Sequence, residues 1–175
     1  SQGSRLSAVR LAKTTAAADV IGFAQGFCED NLYENLTWLC ENQEAIEKRL
    51  FAFRRGQNKP ELFLYDVTSS YLEGDHNALA DWGYNRDKKR GKKQIVIGLL
   101  CDEEGEPVSV EVFTGNTADP QTFGDQVKKV AERFGCRRVT FVGDRGMIKS
   151  AQIEDLESVD FHYITAITKA QIRSL

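Results

Sequence analysis

Apolar residues between Asn31 and about Phe53 recur by threes, fours and sevens, at Leu32, Leu36, Leu39, Ile46, Leu50 and Phe53. That spacing lines one face of an α-helix, so the segment reads as a helix or a helix pair. The Ala-rich stretch Ser7 to Phe27 also favours helix, weakened by Thr14, Thr15 and Gly22 and closed by Gly26 and the acidic Glu29-Asp30. The pattern breaks at Arg54-Arg55-Gly56-Gln57-Asn58-Lys59-Pro60, a basic, turn-forming linker. Beyond it the apolar runs shorten to strand length: Leu62 to Val67, Ile95 to Cys101, and Val108 to Phe113. The turn-rich Asp102 to Pro107 joins the last two as a hairpin. Asp119-Pro120 then offers an N-cap followed by proline at the first helical position, and Phe123, Val127, Val130, Ala131 and Phe134 stripe a helix that ends at Gly135. Val139 to Val142 is a fourth strand, Ser150 to about Glu157 a short helix, and His162 to Ile167 a fifth strand.

The order βββαβαβ, preceded by an α-helical segment, predicts an α/β protein with a mixed sheet and helices on its faces. The RNase H-like fold has this order. In it the first and fourth strands are parallel neighbours, because the crossover helix returns the chain beside the first strand. The expected organisation is a helical N-terminal segment and linker over residues 1–59 and a core over residues 60–175. The leucine face of the N-terminal helix needs burial, so that segment is expected to pack as a separate unit, a homodimer contact being one use for it.

Composition narrows the functions open to such a fold. With 175 residues, 41% of them hydrophobic, the chain can bury a core, and its formal net charge of -3 argues against a surface that binds nucleic acid everywhere. Any DNA site must be local. Cys28, Cys40, Cys101 and Cys136 form no C-x-x-C pair and are expected to be reduced, mostly buried thiols. No apolar run approaches the roughly 18 residues of a membrane span, and Ser1-Gln2-Gly3-Ser4 opens no secretory leader, so an intracellular protein without membrane contact is expected. No glycine loop with lysine is present, so no nucleotide cofactor is expected. The start without Met and the end at Leu175, just past the last strand, are expected to be fragment boundaries.

Two acids stand out. Asp66 interrupts the apolar run Leu62 to Val67, and burying a lone carboxylate is costly unless it has a partner or a metal. Asp144 follows Val139 to Val142 between Gly143 and Gly146, glycines that let the backbone turn and present the carboxylate at the sheet's carboxyl edge. Taken singly, each acid is more simply a strand end or a turn cap. On adjacent strands they converge, as phosphoryl transfer with two metal ions about 3.5–4 Å apart requires.

Four segments in order carry a resemblance. They are Tyr65-Asp66-Val67-Thr68-Ser69-Ser70-Tyr71-Leu72-Glu73-Gly74, Gly83-Tyr84-Asn85-Arg86-Asp87-Lys88-Lys89-Arg90, Gly115-Asn116-Thr117-Ala118-Asp119-Pro120-Gln121-Thr122 and Val142-Gly143-Asp144-Arg145-Gly146-Met147. Together they resemble bacterial insertion-sequence transposases of the DDE superfamily, over about Leu62 to Ile167. The resemblance implies that Asp66 and Asp144 are the first and second catalytic acids and ligands of Mg²⁺, for which Mn²⁺ can substitute. It also implies metal-dependent DNA strand cleavage and strand transfer at insertion-sequence ends, double-stranded transposon-end and target DNA as partners, and a place in the bacterial cytoplasm at the nucleoid. The family's third acid is a Glu in a Tyr-Arg-Glu-Lys signature on a helix beyond the fifth strand. That signature does not occur here, and Glu154, Asp155 and Glu157 come too early, reading as a solvated face. The active site of this chain is therefore expected to be incomplete and the fragment inactive. Two other readings stay open: an RNase H-like nuclease or resolvase without strand transfer, and a non-catalytic DNA-binding remnant.

Arg86, Lys88, Lys89, Arg90, Lys92 and Lys93 put six cations into eight positions between the first two strands, flanked by Trp82 and Tyr84. Such a run suits a DNA backbone, although charge alone fits a solvated loop equally well. Arg145, beside Asp144, is a further candidate phosphate contact. Asp119 is expected to cap its helix and Asn116 to take a left-handed turn conformation. His76 and His162 lack ligand spacing, and Ser69 and Ser70 lack a base that would make either a nucleophile.

Overall fold

The computed structural model describes residues 3–22, 26–56, 58–74, 76–84 and 91–167. The chain divides into two compact units, Ser1–Ile46 and Glu47–Leu175. The first holds α1 (Arg5–Thr14), α2 (Ala17–Ile21) and the beginning of α3 (Glu29–Arg55). Ser4 caps α1 by accepting the Ser7 N–H at 3.2 Å, and the Arg5 guanidinium lies 4.2 Å from the Tyr33 ring centroid.

The second unit begins inside α3, earlier than the 59/60 boundary expected from the linker, and polar anchors explain the difference. Glu47 Oε1 accepts the N–H of Val110 at 3.2 Å and its Oε2 accepts from Arg133 at 2.8 Å. Phe51 stacks on Phe134 with centroids 4.6 Å apart, and Arg54 donates to the Pro107 carbonyl at 3.1 Å. Arg55 pairs with the buried carboxylate of Asp102. The same anchors set the rotation of this end of the helix, so Leu50 is about half exposed and Phe53 is 89% exposed; within the first unit Leu36 and Leu39 are also about half exposed, so the leucine stripe is not buried as expected. Among the described residues no helix is long and apolar enough to cross a membrane.

Around these anchors runs a five-stranded mixed sheet in the order β3-β2-β1-β4-β5, built from β1 (Leu62–Tyr71), β2 (Gln94–Asp102), β3 (Pro107–Thr114), β4 (Thr140–Val142) and β5 (His162–Ile164). β1, β2 and β3 are antiparallel, while β1–β4 and β4–β5 are parallel, as the βββαβαβ order predicts. β1 extends past Val67 because Thr68 to Tyr71 keep pairing with Ile97 to Gln94. β5 stops at Ile164, short of the expected Ile167. Asp102 organises the β2–β3 turn, its Oδ1 accepting the N–H groups of Glu104 and Glu106 at 3.0 Å each.

One face of the sheet is packed. Phe63, Tyr65, Val67, Val96, Leu100 and Phe141 lie beneath α4 (Asp119–Lys128), the π-helical turn Lys129–Arg133 that extends it, and α5 (Ser150–Ser158). Phe123 sits at the centre, with its ring centroid 5.3 Å from Phe141 and 6.0 Å from Tyr65. The π turn coincides with buried Lys129, whose ammonium donates to Ser109 at 2.7 Å and pairs with Glu111. The opposite face leaves Leu64, Leu99, Val110, Val112 and Ile164 exposed.

Three local expectations fail here. The N-cap of α4 is Ala118, whose N–H is accepted by the Gln121 side chain at 3.3 Å, so Asp119 stands in the first turn and not at the cap. Asn116 is absent from the positive-φ residues, and its side chain instead accepts the Thr114 hydroxyl at 2.9 Å. Cys28, just before α3, and Cys40 within it are exposed, and only Cys136 is fully buried.

Candidate active site

The two acids are placed by strand register. Leu64 and Val142 are the last partners of the parallel β1–β4 pair, and Asp66 and Asp144 each lie two residues beyond them. Neighbouring strands are about 4.8 Å apart, so the register brings Asp66, midway along β1, level with Asp144 just beyond the end of β4. They line one cavity of about 530 Å³, together with Leu64, Tyr65, Leu99, Cys101, Gly105, Val142 and Gly143. β1 carries on along β2, whereas β4 leaves the sheet at Gly143: the Asp144 carbonyl accepts the N–H groups of Met147 and Ile148 at 2.9 and 3.2 Å, closing a turn. A side chain at Gly143 would press on Ile148.

Asp66 is exposed, which overturns the expectation of a buried charge. β1 alternates, so Phe63, Tyr65 and Val67 face the packed side while Leu64 and Asp66 face the open one. Asp144 is exposed as well. The two exposed carboxylates thus share a cavity with the apolar Leu64, Leu99 and Val142. Beneath them, burial pushes the Tyr65 phenol up to about 12, and burial also raises the Cys101 thiol.

Among the described residues no group of three acids, histidines or cysteines gathers at metal-binding distance. The two carboxylates are nevertheless hard oxygen donors at one cavity. That donor set fits Mg²⁺, which keeps several waters and is commonly held by one or two carboxylates plus substrate phosphates.

Of the basic run, Arg86, Lys88, Lys89 and Arg90 lie outside the described residues. Lys92 and Lys93 border a cleft of about 230 Å³ with Trp82, Leu72, Glu73 and Gly91, and Lys92 pairs with Glu73. Trp82 is 58% and Tyr84 79% exposed. Arg145 does not reach the acids' cavity but lines a neighbouring one beside β5.

One arrangement escaped the sequence reading. Asp81 and Gln94 exchange backbone hydrogen bonds at 3.1 and 3.0 Å, the buried Gln94 side chain donates to the Gly115 carbonyl at 2.9 Å, and Gly115 N–H donates to Leu79 at 2.9 Å. A methyl group at Gly83 would overlap the Gly115 carbonyl, and one at Gly115 would overlap the Gln94 carbonyl. Two of the four motif segments therefore meet through their glycines, fixing the chain that leads to the basic run. The glycines themselves were the available signal.

Residues 57–174 match the family described as Transposase DDE domain. No curated protein sequence matches the chain significantly. Among solved structures, the chain is similar to the Mos1 transposase paired-end complex with left transposon end, at 11% identity and TM-score 0.41, covering 93% of this chain and 59% of that one. The Mos1 strand transfer complex gives 12% and 0.43, with 96% and 60% covered. The piggyBac transposase synaptic complex with hairpin DNA gives 13% and 0.44, with 63% and 24% covered. The chain thus spans at most about three-fifths of these proteins.

Proposed function

Because the chain belongs to the transposase DDE domain family, we propose that it is a catalytic-core piece of a transposase that cleaves and joins DNA strands at insertion-sequence ends, in a bacterial cell at the nucleoid. The observation that carries this reading is the shared register that brings Asp66 and Asp144 to one cavity. In it, Asp66 and Asp144 hold Mg²⁺ or Mn²⁺. A divalent ion bound there neutralises phosphate charge and activates an oxygen nucleophile.

The chain's own residues do the remaining work by position. β1 and β4 hold the two carboxylates on adjacent strands, and the turn closed on the Asp144 carbonyl fixes the second. Leu64, Leu99 and Val142 give the cavity an apolar wall beside the two acids. No side-chain nucleophile is needed, since water and then a DNA 3′-hydroxyl can attack phosphorus in turn. The cations Arg86 to Lys93 grip the duplex backbone, and residues 1–46 form a separate unit.

The test is incubation of the chain with Mg²⁺ or Mn²⁺ and labelled duplex. Salt-sensitive binding without nicking is expected, because the sequence holds two of the family's three acids. Changing Lys88, Lys89, Arg90 and Lys92 to Ala should weaken binding on all sequences and flatten its salt dependence. A chain that binds no duplex at low salt would refute the reading, and robust nicking abolished by Asp66→Asn would place a third ligand within these residues.

A further inference from the structure

Beside the acids' cavity lies a second one of about 530 Å³, which the mechanism above leaves unused. It opens where β4 and β5 end. Val142 and Ile164 are register partners, and Gly143 N–H still donates to the Ile164 carbonyl at 3.2 Å. Continuing that register sets Thr165 beside Gly143, which is one residue short of Asp144, so Thr165 lies two strands over from Asp66. Arg145, the residue after Asp144, lines this cavity and not the acids' own.

Its polar wall is cationic and hydroxylic. Arg145 and Lys149 are both exposed, Ser150 opens α5, and among the described residues no carboxylate lines the cavity. Thr165 also lines it, with its Oγ1 buried below the surface. Lys149 is the N-cap of α5 and makes no side-chain cap bond, so the helix's first amides face the same end as the cations. Tyr163 and Ile167, each nearly half exposed, add apolar wall of the kind a deoxyribose packs against.

We propose that this cavity binds a backbone phosphate of the DNA strand lying across the acids, held by Arg145, Lys149 and the Ser150 hydroxyl. The proposal rests on the DNA-cleaving reading above and specifies where the strand is gripped. Adjacent residues then divide the labour: Asp144 faces the reacting phosphate, while Arg145 holds a neighbouring one. Contacts to phosphate set register along the strand without reading sequence.

The experiment measures binding of the 175-residue chain to labelled duplexes of several sequences by fluorescence anisotropy between low and moderate salt. Arg145→Ala and Lys149→Ala should each weaken binding on every sequence and lower the salt slope by about one. Lys149 is exposed, so its replacement does not threaten folding, and an unchanged salt slope for Lys149→Ala overturns the proposal. Deoxynucleoside monophosphates that displace duplex completely would also overturn it, by making the ligand a free nucleotide. An unmodified chain that binds no DNA would remove the functional reading itself, whereas binding whose salt slope rests on Lys92 and Lys93 alone removes only this site.

Discussion

Glu47→Ala separates the unit boundary drawn by the fold from the one drawn by the linker. The Glu47 side chain is 9% exposed and bridges an edge strand to the π-helical turn, through Val110 N–H and Arg133, itself 23% exposed. Truncation leaves a largely buried guanidinium without this partner and takes an acceptor from the β3 edge. Breaking a fully buried pair costs about 3–5 kcal/mol. Arg133 keeps some access to water, so about 2–3 kcal/mol is expected here, lost backbone bond included. Urea unfolding followed by circular dichroism measures it, with Glu41→Ala, an exposed site on the same helix, as the control at under about 0.5 kcal/mol. Glu47→Gln keeps an acceptor for Val110 and loses the charge, so it should fall between the two. A Glu47→Ala cost equal to the control would refute the assignment of Glu47 to Arg55 to the sheet-bearing unit.

Gly115→Ala should destabilise by about 2 kcal/mol or more, since the added methyl overlaps backbone carbonyls that cannot rotate away; thermal melting checks this, and a neutral result would mean that the contact of Gly115 with Gln94 and Asp81 opens freely. Phe123→Ala removes the fully buried centre of the aromatic cluster and should cost about 3–5 kcal/mol in the same unfolding assay. The Tyr65 phenol titrates at about 12 in the fold against 10.0 ordinarily, so the unfolded chain loses its proton first. Stability is therefore complete below pH 10 and falls as pH rises through about 12, and Tyr65→Phe should flatten that alkaline loss in unfolding measured across the window.

Element order, the parallel β1–β4 pair and the candidate acids were legible because each strand is a short apolar run between turn residues. What stayed hidden depended on long-range contacts. Thr68 to Tyr71 read as polar and yet extend β1, because β2 pairs with their backbone. Asp66 looked buried among apolar neighbours, but a period of two puts those neighbours on alternate faces and the acid on the open one. The leucine stripe of α3 predicted its helix correctly but not its exposure: Glu47, Phe51 and Arg55 set the rotation of the helix's last turns through residues far along the chain, leaving Leu50 and Phe53 exposed. Gly83 and Gly115 could be read as turn residues, but their meeting could not be inferred from spacing.

The central claim is that Asp66 and Asp144 share one divalent ion, and titration of Mn²⁺ into the chain, followed by electron paramagnetic resonance, tests it most directly. One weak site is expected, with affinity falling at least about tenfold in Asp66→Asn and in Asp144→Asn. The double substitution should be no worse than either single one, because removing either ligand already dismantles the shared site. Two independent losses that add, or a single variant that binds Mn²⁺ as the unmodified chain does, would contradict the account.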